Sequence, residues 1–98
     1  MTLLIVLAIA AAAAEPQTHT VVMDSTAYLP ASITVKVGDQ VEWINKDLFP
    51  HTATSRAGRF DSKIISAGHS WTYRATRPGE FAYTCTLHPT MKGRLIVR

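Results

Sequence analysis

The 98-residue chain carries ten basic and seven acidic residues, all of them beyond residue 14. The resulting formal charge of +3 is spread over both signs, without the basic-aromatic clustering that nucleic-acid binding requires. It suits solubility and mild steering toward acidic partners. A single cysteine, Cys85, excludes an internal disulfide, although chains this short commonly lean on disulfides or metal for stability.

Leu3 to Ala14 is an unbroken apolar run of 12 residues ending in five alanines. A membrane-crossing helix needs roughly twenty. The length and the small-residue ending fit the apolar region and cleavage zone of a secretory signal, cut near Ala14. No Lys or Arg precedes the run, a departure from the usual signal, and no cysteine follows it to carry a lipid. The expected organisation is therefore a signal peptide over 1–14 and one domain over 15–98. The mature chain is expected to be exported, periplasmic or otherwise, monomeric, and without stable membrane insertion. A lone cysteine in an exported chain demands an account: intermolecular pairing, a reactive thiol, or a metal ligand.

Taken in chain order, short alternating runs broken by turn residues predict an all-β sandwich or barrel. His19 to Met23 is the first β-prone run. Ile33, Val35 and Val37 alternate with Thr34 and Lys36, giving one face to the core and one to water. Gly38-Asp39 makes a turn, and Val41 and Trp43 restart the alternation. Trp71 and Tyr73 mark another strand. Arg77-Pro78-Gly79 turns the chain, because Pro presets φ and Gly accepts positive φ. Phe81, Tyr83 and Cys85 alternate next, which places the thiol on the core face. Leu95 and Val97 mark the last strand. No helix of useful length is predicted in the mature chain.

The segment Cys85-Thr86-Leu87-His88-Pro89-Thr90-Met91 is the most informative. Thiolate, imidazole and thioether recur at intervals of three in one loop between strands, so all three can face one point. Loops at one end of a sandwich cluster, which allows His51, in the stretch Lys46 to Thr54, to join them. Two imidazoles, one thiolate and a weak axial thioether make up a blue-copper electron-transfer site. Imidazole suits Cu(II), whereas thiolate and thioether suit Cu(I). Taken singly, each residue has an ordinary reading: Cys85 as an inert core cysteine, Met91 as core, His51 and His88 as loop histidines. Their conjunction favours metal. His19 and His69 lie outside the constellation and are read as non-ligands, and Met23 as core.

Other chemistries meet specific obstacles. Structural zinc takes at least two cysteines in its usual sets. The Cys-x-x-Cys-His attachment of a c-type haem is absent. A Cys85–His88 nucleophile would need a cleft, an orienting group and an oxyanion site, which 84 residues hardly accommodate.

Phe49-Pro50-His51-Thr52, Phe60-Asp61-Ser62 and Cys85-Thr86-x-His88-Pro89-x-Met91-Lys92-Gly93 resemble the cupredoxins, specifically the amicyanin and plastocyanin-like branch. The short Cys-x₂-His-x₂-Met loop is of the amicyanin type, and the resemblance spans essentially residues 18–98. It implies a cupredoxin-like Greek-key β-sandwich holding one copper ion. His51 would be the upstream ligand, Cys85 the thiolate, His88 the partly exposed ligand and Met91 the axial one. Thr52 departs from the Asn common beside the first histidine. It keeps the backbone N–H that the family directs at the cysteine sulfur, but leaves the side-chain bracing between loops in question. Thr90 replaces an aromatic residue often found there.

With four protein ligands and no open position, the expected role is non-enzymatic, outer-sphere transfer of single electrons through His88. Leu87 and Pro89, with Leu48, Phe49 and Pro50 nearby, would form an apolar ring for brief docking. By resemblance, the partners are redox proteins such as a periplasmic dehydrogenase or a c-type cytochrome. The alternative is a periplasmic protein for copper storage, delivery or resistance, which the same donors could serve.

Overall fold

The computed structural model describes residues 2–6 and 15–98. The expected cleavage point near Ala14 falls outside them. Leu3, Leu4, Ile5 and Val6 are largely exposed and carry no regular structure. Among the described residues, no helix is long and apolar enough to cross a membrane.

The described residues form nine strands: β1 Thr18–Asp24, β2 Ala27–Leu29, β3 Ser32–Val35, β4 Gln40–Asn45, β5 Thr54–Ser55, β6 Phe60–Asp61, β7 Ser70–Arg74, β8 Gly79–Thr84 and β9 Lys92–Val97. They form a four-stranded sheet in the order β2-β1-β4-β7 and a five-stranded sheet in the order β3-β9-β8-β5-β6. The β1–β4 and β3–β9 pairs are parallel and the other pairs antiparallel. The all-β sandwich expected from the alternation is the architecture observed.

Each alternating run turns its apolar positions inward, because successive strand side chains face opposite sides. Val21 and Met23 of β1, Val41 and Trp43 of β4, Tyr83 of β8, and Leu95 and Val97 of β9 are all buried. Cys85, one step beyond β8, continues the Phe81–Tyr83 face and is fully buried. The alternating run Ile33 to Val37 extends two residues past the strand it marks. The strand ends at Val35, and Val37 lies in the following turn with about half its surface exposed. There Gly38 adopts φ 96°, reversing the chain before an inward Val37 could be covered.

Aromatic rings fill the centre. Trp43 meets Tyr83 edge-on at 5.4 Å between centroids and lies 5.7 Å from both Phe60 and Trp71. Tyr28 meets Tyr83 at 4.6 Å. Burial pushes the Tyr83 hydroxyl up to about 12. Gly93 stands opposite Tyr83 in the β8–β9 register, and a Cβ there would run into the Tyr83 ring. That overlap is a packing reason for glycine two residues after Met91.

Candidate metal centre

One pole of the sandwich collects the chain segments that matter. The Cys85–Met91 loop joins Thr84 of β8 to Lys92 of β9, which are themselves paired. The other contributor, Lys46–Ala53, leaves β4 and is fastened by the buried Asn45. The Asn45 amide donates to the carbonyls of Phe49 and Ile65 at 2.8 and 2.9 Å, and its oxygen accepts Asp47 N–H at 2.9 Å. An antiparallel bridge between His51 and Ile65 fixes the backbone at the histidine itself. Buried polar groups are stable when paired in this way.

The Cys85 loop is wound tightly. His88 N–H donates to the Cys85 carbonyl at 3.3 Å, Met91 N–H to the His88 carbonyl at 2.9 Å, and Cys85 N–H to the Met91 carbonyl at 3.1 Å. These bonds hold the three residues on one short curve. Cys85 and Met91 are buried, while His88 is half-buried.

The two loops meet at the sulfur. Thr52 N–H donates to Cys85 Sγ at 3.3 Å, and His51 Nδ1 lies 3.7 Å from the same sulfur. The His51 and His88 rings are 5.0 Å apart between centroids. His51, Cys85 and His88 are thus brought together, with Met91 tied to Cys85 and His88 through the backbone. His19 sits at the opposite pole, and His69 is exposed beside Asn45.

The bracing that Thr52 put in question is present. Its hydroxyl accepts Thr86 N–H at 3.0 Å and contacts the Thr54 hydroxyl at 2.9 Å, joining the two loops. Tyr28 adds a hydrogen bond from its hydroxyl to the Thr52 carbonyl.

Asp47 was not singled out in the sequence. Its Oδ2 lies 2.9 Å from His51 Nε2. The His51 ring N–H and the Thr26 amide hold the Asp47 carboxyl below its ordinary range, so the group is an ionised acceptor. An acceptor-only carboxylate requires the proton of a neutral His51 on Nε2, leaving Nδ1 with a bare lone pair aimed at the thiol sulfur. This is the carboxylate–histidine arrangement that orients metal-binding imidazoles. No sequence signal marked it, since an Asp four residues before a loop histidine belongs to no periodic pattern.

These residues fit a soft-to-borderline metal. Donors sharing a first-row ion at about 2.0–2.3 Å lie roughly 3.3–4 Å apart, and the Nδ1–Sγ separation falls inside that range. The sulfur is shielded from water and receives one N–H, that of Thr52.

Against known proteins, the family profile described as "Cupredoxin-like domain" matches residues 1–97. The chain therefore belongs to the cupredoxins. Within them it falls on the amicyanin and plastocyanin branch. It is 30% identical to the amicyanin of Paracoccus versutus over 93 residues, covering 89% of this chain and 70% of that protein. It is 32% identical to the amicyanin of Paracoccus denitrificans, covering 88% and 71%. A solved amicyanin variant in its reduced Cu(I) form superposes with a TM-score of 0.78 at 28% identity, over 83% of this chain and 82% of that one.

Proposed function

We propose that this chain is a small electron carrier holding one copper ion through His51 Nδ1, Cys85 Sγ, His88 and Met91. The observation that carries this reading is the fully buried His51–Cys85 contact at 3.7 Å, with the other ring nitrogen of His51 committed to Asp47. A bare imidazole nitrogen and a shielded thiol facing each other form half of a two-imidazole, one-thiolate, one-thioether set. Copper bound there would supply the one-electron Cu(I)/Cu(II) couple.

The chain's own part is to hold these donors still. The Asn45, Thr52 and Cys85-loop bonds tie both loops to strand ends, so little rearrangement accompanies a change of charge at the site. Four protein donors leave no position for substrate, which favours outer-sphere transfer over bond-making catalysis. His88 is the least buried of the four and offers the exit for the electron. In its own loop and in the loop of His51, Leu48 is 88%, Phe49 57% and Leu87 45% exposed, with Pro50 and Pro89 also at the surface. This apolar ring suits brief docking to redox proteins such as a dehydrogenase or a c-type cytochrome. The apolar run before Glu15 acts as an export signal, with residues 15–98 as the working domain in the periplasm or an equivalent compartment.

Copper storage or delivery would use the same donors. The thiolate fixed at the end of a core strand favours retention of the ion through turnover instead. Adding Cu(II) to the metal-free protein is expected to produce an intense blue charge-transfer band. A colourless or merely pale product would remove the blue-copper assignment. Rapid, reversible electron exchange with a c-type cytochrome then separates carrier from store.

A further inference from the structure

The exposed turn between β1 and β2 is built in an expensive way. β1 and β2 pair from Val22–Leu29 to Asp24–Ala27, leaving Ser25 and Thr26 as a two-residue hairpin loop. Both adopt left-handed backbone, with φ 51° at Ser25 and 57° at Thr26. Such a turn suits Asn-Gly, and a β-branched residue at positive φ is a conformational outlier. The surrounding structure must hold Thr26 there.

Thr26 reaches across to the other loop. Its N–H donates to Asp47 Oδ2 at 2.9 Å, and that same oxygen faces His51 Nε2 at 2.9 Å. The second Asp47 oxygen accepts Leu48 N–H at 2.9 Å. In a two-residue hairpin loop the amide of the second residue is free of the strand ladder, so it is available to a side chain from elsewhere. The carboxylate is thus held by Leu48 on one oxygen and, on the other, is shared between the turn and the ring.

We propose that Thr26 is a positioning residue for the copper centre: its amide locks the Asp47 carboxylate, which fixes the His51 tautomer and leaves Nδ1 bare toward Cys85. The chain of contacts runs from a solvent-exposed turn, through one carboxylate, to a fully buried imidazole. Anything that moved the turn would reach the site along it. The inference rests on the reading of His51 as a ligand only in its consequence for copper, since the tautomer itself belongs to the metal-free chain.

The experiment exploits that independence. In metal-free protein, nitrogen-15 NMR of the His51 ring is expected to show the Nε2–H tautomer almost alone. Replacing the Thr26 amide by an ester through semisynthesis removes the N–H and little else, and the Nδ1–H population is expected to rise several-fold. The paired substitution Ser25→Asn with Thr26→Gly relaxes the turn but keeps the N–H, so it is expected to retain the original tautomer in a more stable protein. An ester protein with an unchanged His51 tautomer would overturn the proposal. So would an Asn-Gly variant shifted as far as the ester. In the unmodified chain, Cu(I) loading is expected to slow hydrogen exchange at Thr26 N–H, because coupling between the sites is reciprocal. Unchanged exchange at Thr26 in a protein that turns blue with Cu(II) also counts against it. A chain that fails to turn blue instead condemns the ligand reading, leaving the metal-free tautomer result to decide this one.

Discussion

The two poles of the sandwich carry the same device. At one, His51 Nε2 lies 2.9 Å from Asp47 Oδ2; at the other, His19 Nε2 lies 2.9 Å from Asp39 Oδ2. Each carboxylate also accepts two backbone N–H groups: Thr26 and Leu48 at Asp47, Gln17 and Lys36 at Asp39. The pairs diverge at the far ring nitrogen and in burial. His51 is fully enclosed and turns Nδ1 to a thiol, with a second imidazole at 5.0 Å. His19 keeps a quarter of its side chain exposed, and its ring contact among the described residues is with Asp39. A histidine–carboxylate pair is therefore a bracket in itself. It becomes part of a metal site only where the fold puts soft donors on the other side of the ring.

Replacing the histidine at each pole should give the largest separation between them. His51→Gln removes the Nδ1 donor and is expected to abolish the blue band, with at least about a hundredfold loss of Cu(I) affinity, in line with the loss of a principal ligand. His19→Gln loses only the bracket to Asp39, and both colour and affinity should remain those of the unmodified protein. Spectrophotometric copper titration of the two variants decides it. A His19 variant that lost its colour would mean that the poles are coupled, and the comparison would fail.

A smaller effect is expected from Thr52→Val, which tests how the site pole is held together apart from its histidine. The substitution keeps the shape and the backbone N–H to Cys85 Sγ, but deletes the hydroxyl that accepts Thr86 N–H. Leaving that amide without its partner costs about 1–2 kcal/mol. A denaturant titration should show the lower midpoint, while the copper protein stays blue with a slightly shifted band. An unchanged midpoint would mean that Asn45 and the strand ends hold the loops without help from Thr52.

How far these features could be read in advance follows from their periodicity. Cys85, His88 and Met91 recur at a fixed interval in one loop, so the chain itself displays them. His51 lies 34 residues before Cys85 and meets it only because strand ends converge, so it needed the family resemblance. Asp47 and Thr26 were invisible, since their roles depend on loop conformation and on a backbone amide that any residue but proline could supply. The strands β2, β5 and β6, two or three residues each, are too short to show alternation. Asp39 was visible only as half of a Gly-Asp turn. What three donors do to a carboxylate emerges once Gln17, His19 and Lys36 are brought around it.

That carboxylate supplies the subtlest test of the two poles. Backbone N–H groups of Gln17 and Lys36, followed by the His19 ring, lower the Asp39 carboxyl from an ordinary 3.8 to about 2. A carboxyl lowered on folding contributes stability in full above its unfolded value, and this is lost as pH falls through the folded one. For Asp39 the loss falls between 3.8 and about 2. Asp39→Asn cannot ionise and puts an NH₂ in place of one oxygen, facing either Gln17 N–H or both Lys36 N–H and the His19 ring. The variant is expected to be less stable at neutral pH and to lose less on acidification, so that the two stability curves converge toward pH 2. Asp47 and Asp61 are also lowered, but they titrate in both proteins and cancel in the difference. Denaturant unfolding of metal-free protein across that window reads the convergence, and curves that stayed parallel would mean the Asp39 charge contributes nothing to the fold. Because the bracket at this pole has no soft donor behind it, the variant should still bind copper at neutral pH with undiminished colour.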